Sequence, residues 1–349
     1  MPRLAPAPRT LIVTSRCRDL LGPIGERAVV NEIRRFELFT DGRAAAITLA
    51  RPDLVVERAA LIRELARDAQ EAGATLVLGR RLRGLEPAPD GVRLELDRSG
   101  GAPETMVAGR LVGADGAFSR VAALAGWPSP ATVPLVQAVV RMPPDLPADT
   151  TRVWFIPEDT RYFYWLIPEG EGRAVAGLIG EDGASVRRRL HAFLERHRLV
   201  PLAFQAARTP LYRRGLPLRR RLGGAEVYVV GDAGAQVKVT TVGGLVTGFR
   251  GARAVAEAIL DGGRSRALRA LHRELTVHWL VRRTLDGFSS DDYARLIDLV
   301  GARARRHLGV LTRDEADRLL VRVCLDEPRL LLLAARRLIV GAWRSAIRP

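Results

Sequence analysis

Residues 227–260, VYVVGDAGAQVKVTTVGGLVTGFRGARAVAEAIL, restrict the fold more than any other part of this chain. The stretch opens on an unbroken apolar run, Val227, Tyr228, Val229 and Val230, which reads as a buried strand. Gly231 and Asp232 follow at once. A glycine there lets the backbone turn sharply and come close to a ligand. An aspartate at the end of a buried strand can accept hydrogen bonds from ribose or ribityl hydroxyls. A polar loop then leads to Gly243 and Gly244. From about residue 245 to 260 the spacing is helical, and Gly248, Gly251, Ala252, Ala254, Ala256 and Ala258 permit close packing on a sheet. The N–H groups at the start of that helix carry partial positive charge, which suits an anionic group or an electron-rich ring.

Two upstream stretches have related chemistry. Residues 107–112 read as a strand that ends in GADGAFSR, residues 113–120. Gly113 and Gly116 allow close approach there, and Asp115 can orient a turn or cap a helix. Residues 54–72 have the clearest amphipathic helix pattern, with Leu61, Leu65 and Ala69 on one face and Arg63, Glu64, Arg67 and Asp68 on the other. Gly73 supplies its stop, and Arg58 lies near its start. Residues 75–78 then read as a strand, and residues 80–86 and 92–96, split by Pro-Asp-Gly, as a β-hairpin.

Together these segments resemble the geranylgeranyl reductase family, within the flavoproteins related to p-hydroxybenzoate hydroxylase. The family pattern GDAAGQVKPTTGGGI stands here as GDAGAQVKVTTVGGL, matching at Gly231, Asp232, Ala233, Gln236, Val237, Lys238, Thr240, Thr241, Gly243 and Gly244. It departs at Val239, where proline is usual, and at Val242, where glycine is usual; Gly234 and Ala235 reverse the usual order. The segment ERAALIRELARDAQEAGA resembles the family's D-R-x-x-F/L helix, and GADGAFSRV its GADGxxSxVR, with Ala122 in place of the final arginine. The resemblance covers about residues 12–265. It implies FAD as cofactor, with Asp232 on the ribityl chain, and Gly231, Gly243 and Gly244 around the ring. It further implies that Arg58 reaches the cofactor and that Asp115 and Gly116 lie near the FAD. NAD(P)H or ferredoxin is the implied electron donor.

Such a flavoprotein begins with strand–GxGxxG–helix–strand–Glu, where the helix start holds the pyrophosphate. No GxGxxG occurs in this sequence, and Pro8, Arg9, Thr10 and Leu11 stand where the family carries Cys-x-Gly. The expectation is a chain that starts some tens of residues late or has lost this fingerprint. Without those contacts FAD affinity falls by several kcal/mol, at about 1.5–3 kcal/mol per charge-assisted hydrogen bond. A non-catalytic fragment, or a module that needs a partner chain, is therefore one alternative reading.

After Gly126 the sequence turns to strands and prolines. RYFYWLIP, residues 161–168, resembles the family's YxWxFP substrate-side motif, holding Trp165 and Pro168. Flat apolar walls suit a long hydrocarbon. By strand alternation Phe163 and Trp165 share one face and Tyr162 and Tyr164 the other, and Phe163 and Trp165 are the substrate-wall candidates. From about residue 265 the pattern is all helix, through residues 269–286, 291–308 and 313–324. The last helix, residues 329–340, is apolar with an arginine pair, and suits either a capping domain or a membrane surface. The expected fold class is α/β, with FAD-binding (Rossmann-like, N-terminally incomplete) parts at 1–125 and 223–264. An antiparallel β substrate domain is inserted at 126–222, and a helical domain follows at 265–349.

The net charge of +16 would serve phosphate-bearing substrates or an anionic membrane surface. No recognised nucleic-acid motif is present and aromatics are few, so nucleic acid ranks last and is not expected as partner. Lys238 is the only lysine among 55 lysines and arginines. Two cysteines, Cys17 and Cys324, form no disulfide framework, which implies a reducing, cytoplasmic setting with peripheral membrane contact as an option. No metal-ligand spacing is found. The implied activity is FAD-dependent reduction of C=C bonds in an isoprenoid, geranylgeranyl-type chain on a lipid, quinone or similar carrier. The rival enzymatic reading is a flavin-dependent hydroxylase, since both use the DG and GD segments.

Overall fold

The computed structural model describes residues 9–263 and 265–336. In chain order the first elements are β1 (Thr10–Val13), α1 (Arg16–Leu21), α2 (Pro23–Arg27), β2 (Val29–Thr40), β3 (Arg43–Glu57) and α3 (Arg58–Glu71). Then come β4 (Arg80–Ala88), β5 (Gly91–Arg98), β6 (Glu104–Ala108), β7 (Arg110–Gly113) and α4 (Arg120–Leu124). The middle of the chain supplies β8 (Thr132–Arg141), β9 (Thr150–Trp154), β10 (Tyr164–Gly170), β11 (Arg173–Ile179), α5 (Gly183–Arg196) and β12 (Pro201–Pro210). β13 (Arg219–Leu222), β14 (Ala225–Val229), α6 (Leu245–Leu260), α7 (Arg266–Leu285), α8 (Ser290–Leu299), α9 (Ala302–Val310) and α10 (Ala316–Asp326) complete the order.

The largest sheet has eight strands in the order β1-β3-β2-β9-β10-β11-β8-β12. It crosses the boundary expected at residues 125/126, because β1–β3 join strands from the middle of the chain. One face of its centre is closed by α5: Tyr164, Leu166 and Leu178 pack with Leu190, Phe193 and Leu194. Tyr164 stacks on Phe193 at 4.5 Å between ring centroids. On the other face Trp165 lies opposite Gly177, where a β-carbon would come within 2.4 Å of Trp165 Cζ2. Only glycine lets the indole lie flat across the neighbouring strand.

β7 and β14 form a parallel pair, with Val227 opposite Leu111 and Val229 opposite Gly113; β13 adds an antiparallel edge. This pair is the α/β part of the molecule, and both strands end in one of the glycine-aspartate turns noted above. β4, β5 and β6 form a separate antiparallel meander.

Three local expectations are corrected. Residues 54–57 belong to β3, not to the helix that follows. Leu54, Val55 and Val56 pair with Val13, Ile12 and Leu11 of β1 and are fully buried, and two adjacent β-branched residues favour that extended pairing. The helix starts at Arg58, with the Glu57 carboxylate accepting from Ala59 N (2.8 Å) and Ala60 N (2.6 Å). Residues 75–78, expected as a strand, have no strand partner, and Leu76, Val77 and Leu78 are 40–55% exposed. A strand needs a neighbour for its backbone groups, and none of the described strands lies beside it. The helix expected over 291–308 is two helices, broken at Val300 and Gly301. Of the last helix, residues 329–336 are helical and Leu333 packs with Phe288 and Tyr293; residues 337–340 lie outside the described residues. No described helix is long and apolar enough to cross a membrane.

Candidate functional site

The site is built on the loop between β14 and α6. Gly231 has φ +59°, with open space where a β-carbon would stand. It starts a single 3-10 turn, Gly231–Gly234, that ends at Ala235 in the left-handed conformation. The Gln236 side chain then folds back, and its Oε1 accepts from Gly231 N at 2.7 Å. That side chain lies so close to α6 that a β-carbon on Gly251 would be 1.9 Å from Gln236 Oε1. The Thr247 hydroxyl donates to the carbonyls of Gln236 and Gly244. Lys238 N donates to Gly243 O at 3.1 Å and closes the loop on itself.

This bracing presents the candidate residues at one end of α6. Asp232 Oδ1 would lie 2.9 Å from a β-carbon on Gly244, so the carboxylate sits against the helix start. No side chain caps that start. Burial raises the Asp232 pKa above the ordinary carboxylate range, and the Arg58 guanidinium acts against that rise. The structure thus sets the Asp232 carboxylate against Gly244 at the start of α6. Asp115 and Gly116 leave the adjacent strand β7 at the same end, Val230 N donating to Gly113 O at 3.0 Å. The Asp115 carboxylate itself accepts from Ser119 Oγ (2.5 Å), Arg120 N (2.6 Å) and Val121 N (3.1 Å) and so fixes the start of α4. Gly116 has φ +86°.

The aromatic candidates meet the same loop. Trp165 is buried in one cluster with Val133, Ile179, Val237 and Val242, with Phe163 packed at its margin. Phe163 and Trp165 have ring centroids 6.1 Å apart. Tyr162 falls in this cluster too, against the alternation expected for it, because β10 starts only at Tyr164 and residues before it are not bound by the strand period. Arg282 of α7 covers the Tyr162 ring at 4.8 Å. A cleft of about 640 Å³ lined by Phe39, Arg43, Trp154, Phe155 and Glu158 contains none of the candidate residues.

A buried polar layer behind the loop is not visible as a motif. Lys238 is ion-paired with Asp314, which also accepts from the Thr14 hydroxyl. Thr240 Oγ1 and His278 Nδ1 lie 2.7 Å apart, and Arg250 donates to Glu274 at 2.7 Å. Burial drives the His278 pKa down to about 4, helped by the Lys238 charge, so His278 is neutral at pH 7. Burial pushes the Cys17 thiol up to about 11, with the Asp314 charge adding to the rise, and Cys17 stays protonated. Lys238 and Thr240 stand in the glycine-aspartate motif, and the uniqueness of Lys238 in an arginine-rich chain was a further signal for this layer. Asp314, Thr14 and His278 gave none.

No protein-family model matches the sequence. The fold is mixed α/β, with a large curled sheet and C-terminal helices, and it is similar to the folds of solved structures that include flavin-dependent enzymes. A geranylgeranyl bacteriochlorophyll reductase-like protein from Thermoplasma acidophilum superposes with a TM-score of 0.74 at 18% identity, over 91% of this chain and 86% of that one. The flavin-dependent brominase Bmp2, as a triple mutant, gives 0.63 at 16% identity, over 94% and 87%. The p-nitrophenol 4-monooxygenase PnpA from Pseudomonas putida gives 0.55 at 19% identity, over 96% and 89%.

The described residues fit the flavin and ribityl end of FAD. The open space over Gly231, the buried Asp232 carboxylate and the uncapped start of α6 supply close approach, a hydroxyl acceptor and N–H donors.

Proposed function

We propose that this chain is a flavin-dependent oxidoreductase that adds hydrogen across C=C bonds of an isoprenoid chain, carried on a lipid, quinone or similar head group. The observation that supports it is the meeting of the substrate-side sheet and the flavin-side loop: Trp165 is buried in one apolar cluster with Val237 and Val242. A flat hydrocarbon on the Phe163–Trp165 wall would therefore lie beside the loop that carries Gly243 and Gly244. Bound FAD, reduced by NAD(P)H or ferredoxin, supplies hydride chemistry. The residues of this chain bind and orient. Asp232 would accept from ribityl hydroxyls, the N–H groups at the start of α6 would hold the cofactor, and Val237, Val242 and Trp165 would exclude water from the hydrocarbon. The basic surface suits an anionic head group or an anionic membrane surface, where such lipids reside.

The test starts with purified chain incubated with FAD and passed through gel filtration. Visible flavin absorbance that stays with the protein is expected, followed by anaerobic saturation of geranylgeranyl lipid double bonds, read by mass spectrometry. Hydroxylated product or hydrogen peroxide during NADPH oxidation in air would replace this reading with a hydroxylase. Protein that never retains flavin would remove the enzyme reading and favour a non-catalytic module.

A further inference from the structure

We infer that the cleft at the β2–β3 turn takes the far end of a long isoprenoid chain, so that the protein selects its substrate by chain length. On the isoprenoid reading proposed above, this is where the hydrocarbon goes once it leaves the Phe163–Trp165 wall. The cleft holds about 640 Å³, and Phe39, Trp154 and Phe155 give it an apolar aromatic lining. It meets the wall through Phe155. In the sheet Tyr164 of β10 lies opposite Trp154 of β9, which brings Phe163, just before Tyr164, beside Phe155, just after Trp154. The two rings stand edge to face with centroids 6.2 Å apart. Phe163 in turn stands 6.1 Å from Trp165. Three rings therefore run in a row from the cluster that holds Val237 and Val242 to the cleft, and Phe155 belongs to both the row and the cleft lining.

The rings are braced from behind. Phe155 stacks on Tyr293 of α8 at 4.7 Å, and Trp154 stacks on Phe39 at 5.3 Å. Phe193 of α5 supports Trp154 at 5.1 Å. A surface fixed in this way costs a ligand little reorganisation. Phe39, Trp154 and Phe155 are nonetheless only half-buried, so apolar area remains for a ligand to cover. Charged groups at the rim have partners of their own: Arg43 pairs with Asp298 at 3.7 Å, and Glu158 accepts from the Ser290 hydroxyl at 2.8 Å. What the cleft offers is ring faces, which suit the flat double bonds and methyl branches of an isoprenoid. A chain too short to pass Phe155 gains none of this contact.

The probes are geraniol, farnesol and geranylgeraniol, three alcohols of rising chain length, bound to the full chain preincubated with FAD and measured by equilibrium dialysis. Wild type is expected to bind geranylgeraniol at least about tenfold more tightly than geraniol, since each added buried carbon contributes. Ala44→Trp fills the cleft from an exposed strand position opposite Phe39, and Phe155→Leu removes the shared ring. Each is expected to remove most of the preference for the long chain and to leave geraniol affinity unchanged. Ala44→Trp keeps every ring of the row, so it carries the test if Phe155→Leu fails to fold. Met106→Trp, at a 51% exposed position of the separate meander, controls for an added indole and is expected to bind like wild type. A preference for geranylgeraniol that survives Ala44→Trp overturns the cleft and leaves the isoprenoid reading standing. Equal weakening of all three alcohols also overturns it, because it places their common hydroxyl end there. No binding of any of the alcohols by wild type removes the isoprenoid reading and the cleft's role together.

Discussion

Lys238, the only lysine of the chain, is buried and ion-paired with Asp314, a buried residue 76 positions away. The pair joins the loop that carries the glycine-aspartate turn to the segment between α9 and α10. Thr14, just after β1, donates to the same carboxylate. Three distant parts of the sequence are thereby fixed around one carboxyl group.

Asp314→Asn leaves an ammonium ion buried without its counter-charge. Removal of one partner from a buried pair costs about 3–5 kcal/mol, whereas replacement of both by apolar residues of similar volume is often neutral. Asp314→Asn is therefore expected to lower stability by about that amount in urea denaturation, and the double variant Lys238→Met/Asp314→Leu to recover most of it. A double variant as unstable as the single one would show that the pair is needed for packing and not for charge balance.

His278 gives the molecule an acid-side limit. Its folded pKa is lowered from 6.5 to about 4, mainly by burial. The unfolded chain therefore binds a proton that the folded chain refuses between these values. Stability is fully present above about pH 6.5 and falls as pH drops toward 4, by up to about 3 kcal/mol. Asp232, Asp53 and Glu274, whose pKa values are raised by burial, act in the opposite direction on acidification. The difference profile between wild type and His278→Asn isolates the histidine: wild type is expected to lose more stability than the variant between pH 6.5 and 4.

Gly251→Ala tests the bracing of the loop. The new methyl would meet Gln236 Oε1 at 1.9 Å and push that side chain off Gly231 N. Overpacking of this kind costs about 1–3 kcal/mol. A lowered melting temperature is expected, with faster amide exchange confined first to residues 231–244. Unchanged exchange there would mean that the loop holds its shape without Gln236.

Phe163 and Trp165 are expected to separate under mutation although they lie two residues apart. Trp165 is 7% exposed and packs over Gly177, so Trp165→Ala should cost about 3–5 kcal/mol. Phe163 is half-buried at the margin of the cluster, so Phe163→Leu should leave melting within a few degrees of wild type. On the proposed function, Phe163→Leu raises KM for a long isoprenoid substrate with little change for a short one. Equal effects on both lengths would remove Phe163 from the substrate wall.

What the sequence determined by itself was local. The run 227–230, the glycine that must accept φ +59° at 231 and the small-residue helix after 245 encode backbone shape within a few residues of each other, and they are where the reading placed them. The hairpin β4–β5 was equally legible from its Pro-Asp-Gly turn. Tertiary structure decided the partnerships. Residues 54–57 look helical beside α3 and became strand because β1 offered them a partner, while 75–78 look like strand and have none. Tyr162 took the Trp165 side because it precedes the strand that would have alternated it. Lys238 with Asp314 follows from where the chain returns on itself. The physical reason is range: helix and strand periods act over a few residues, whereas a buried charge is stable only beside a group that folding alone brings to it.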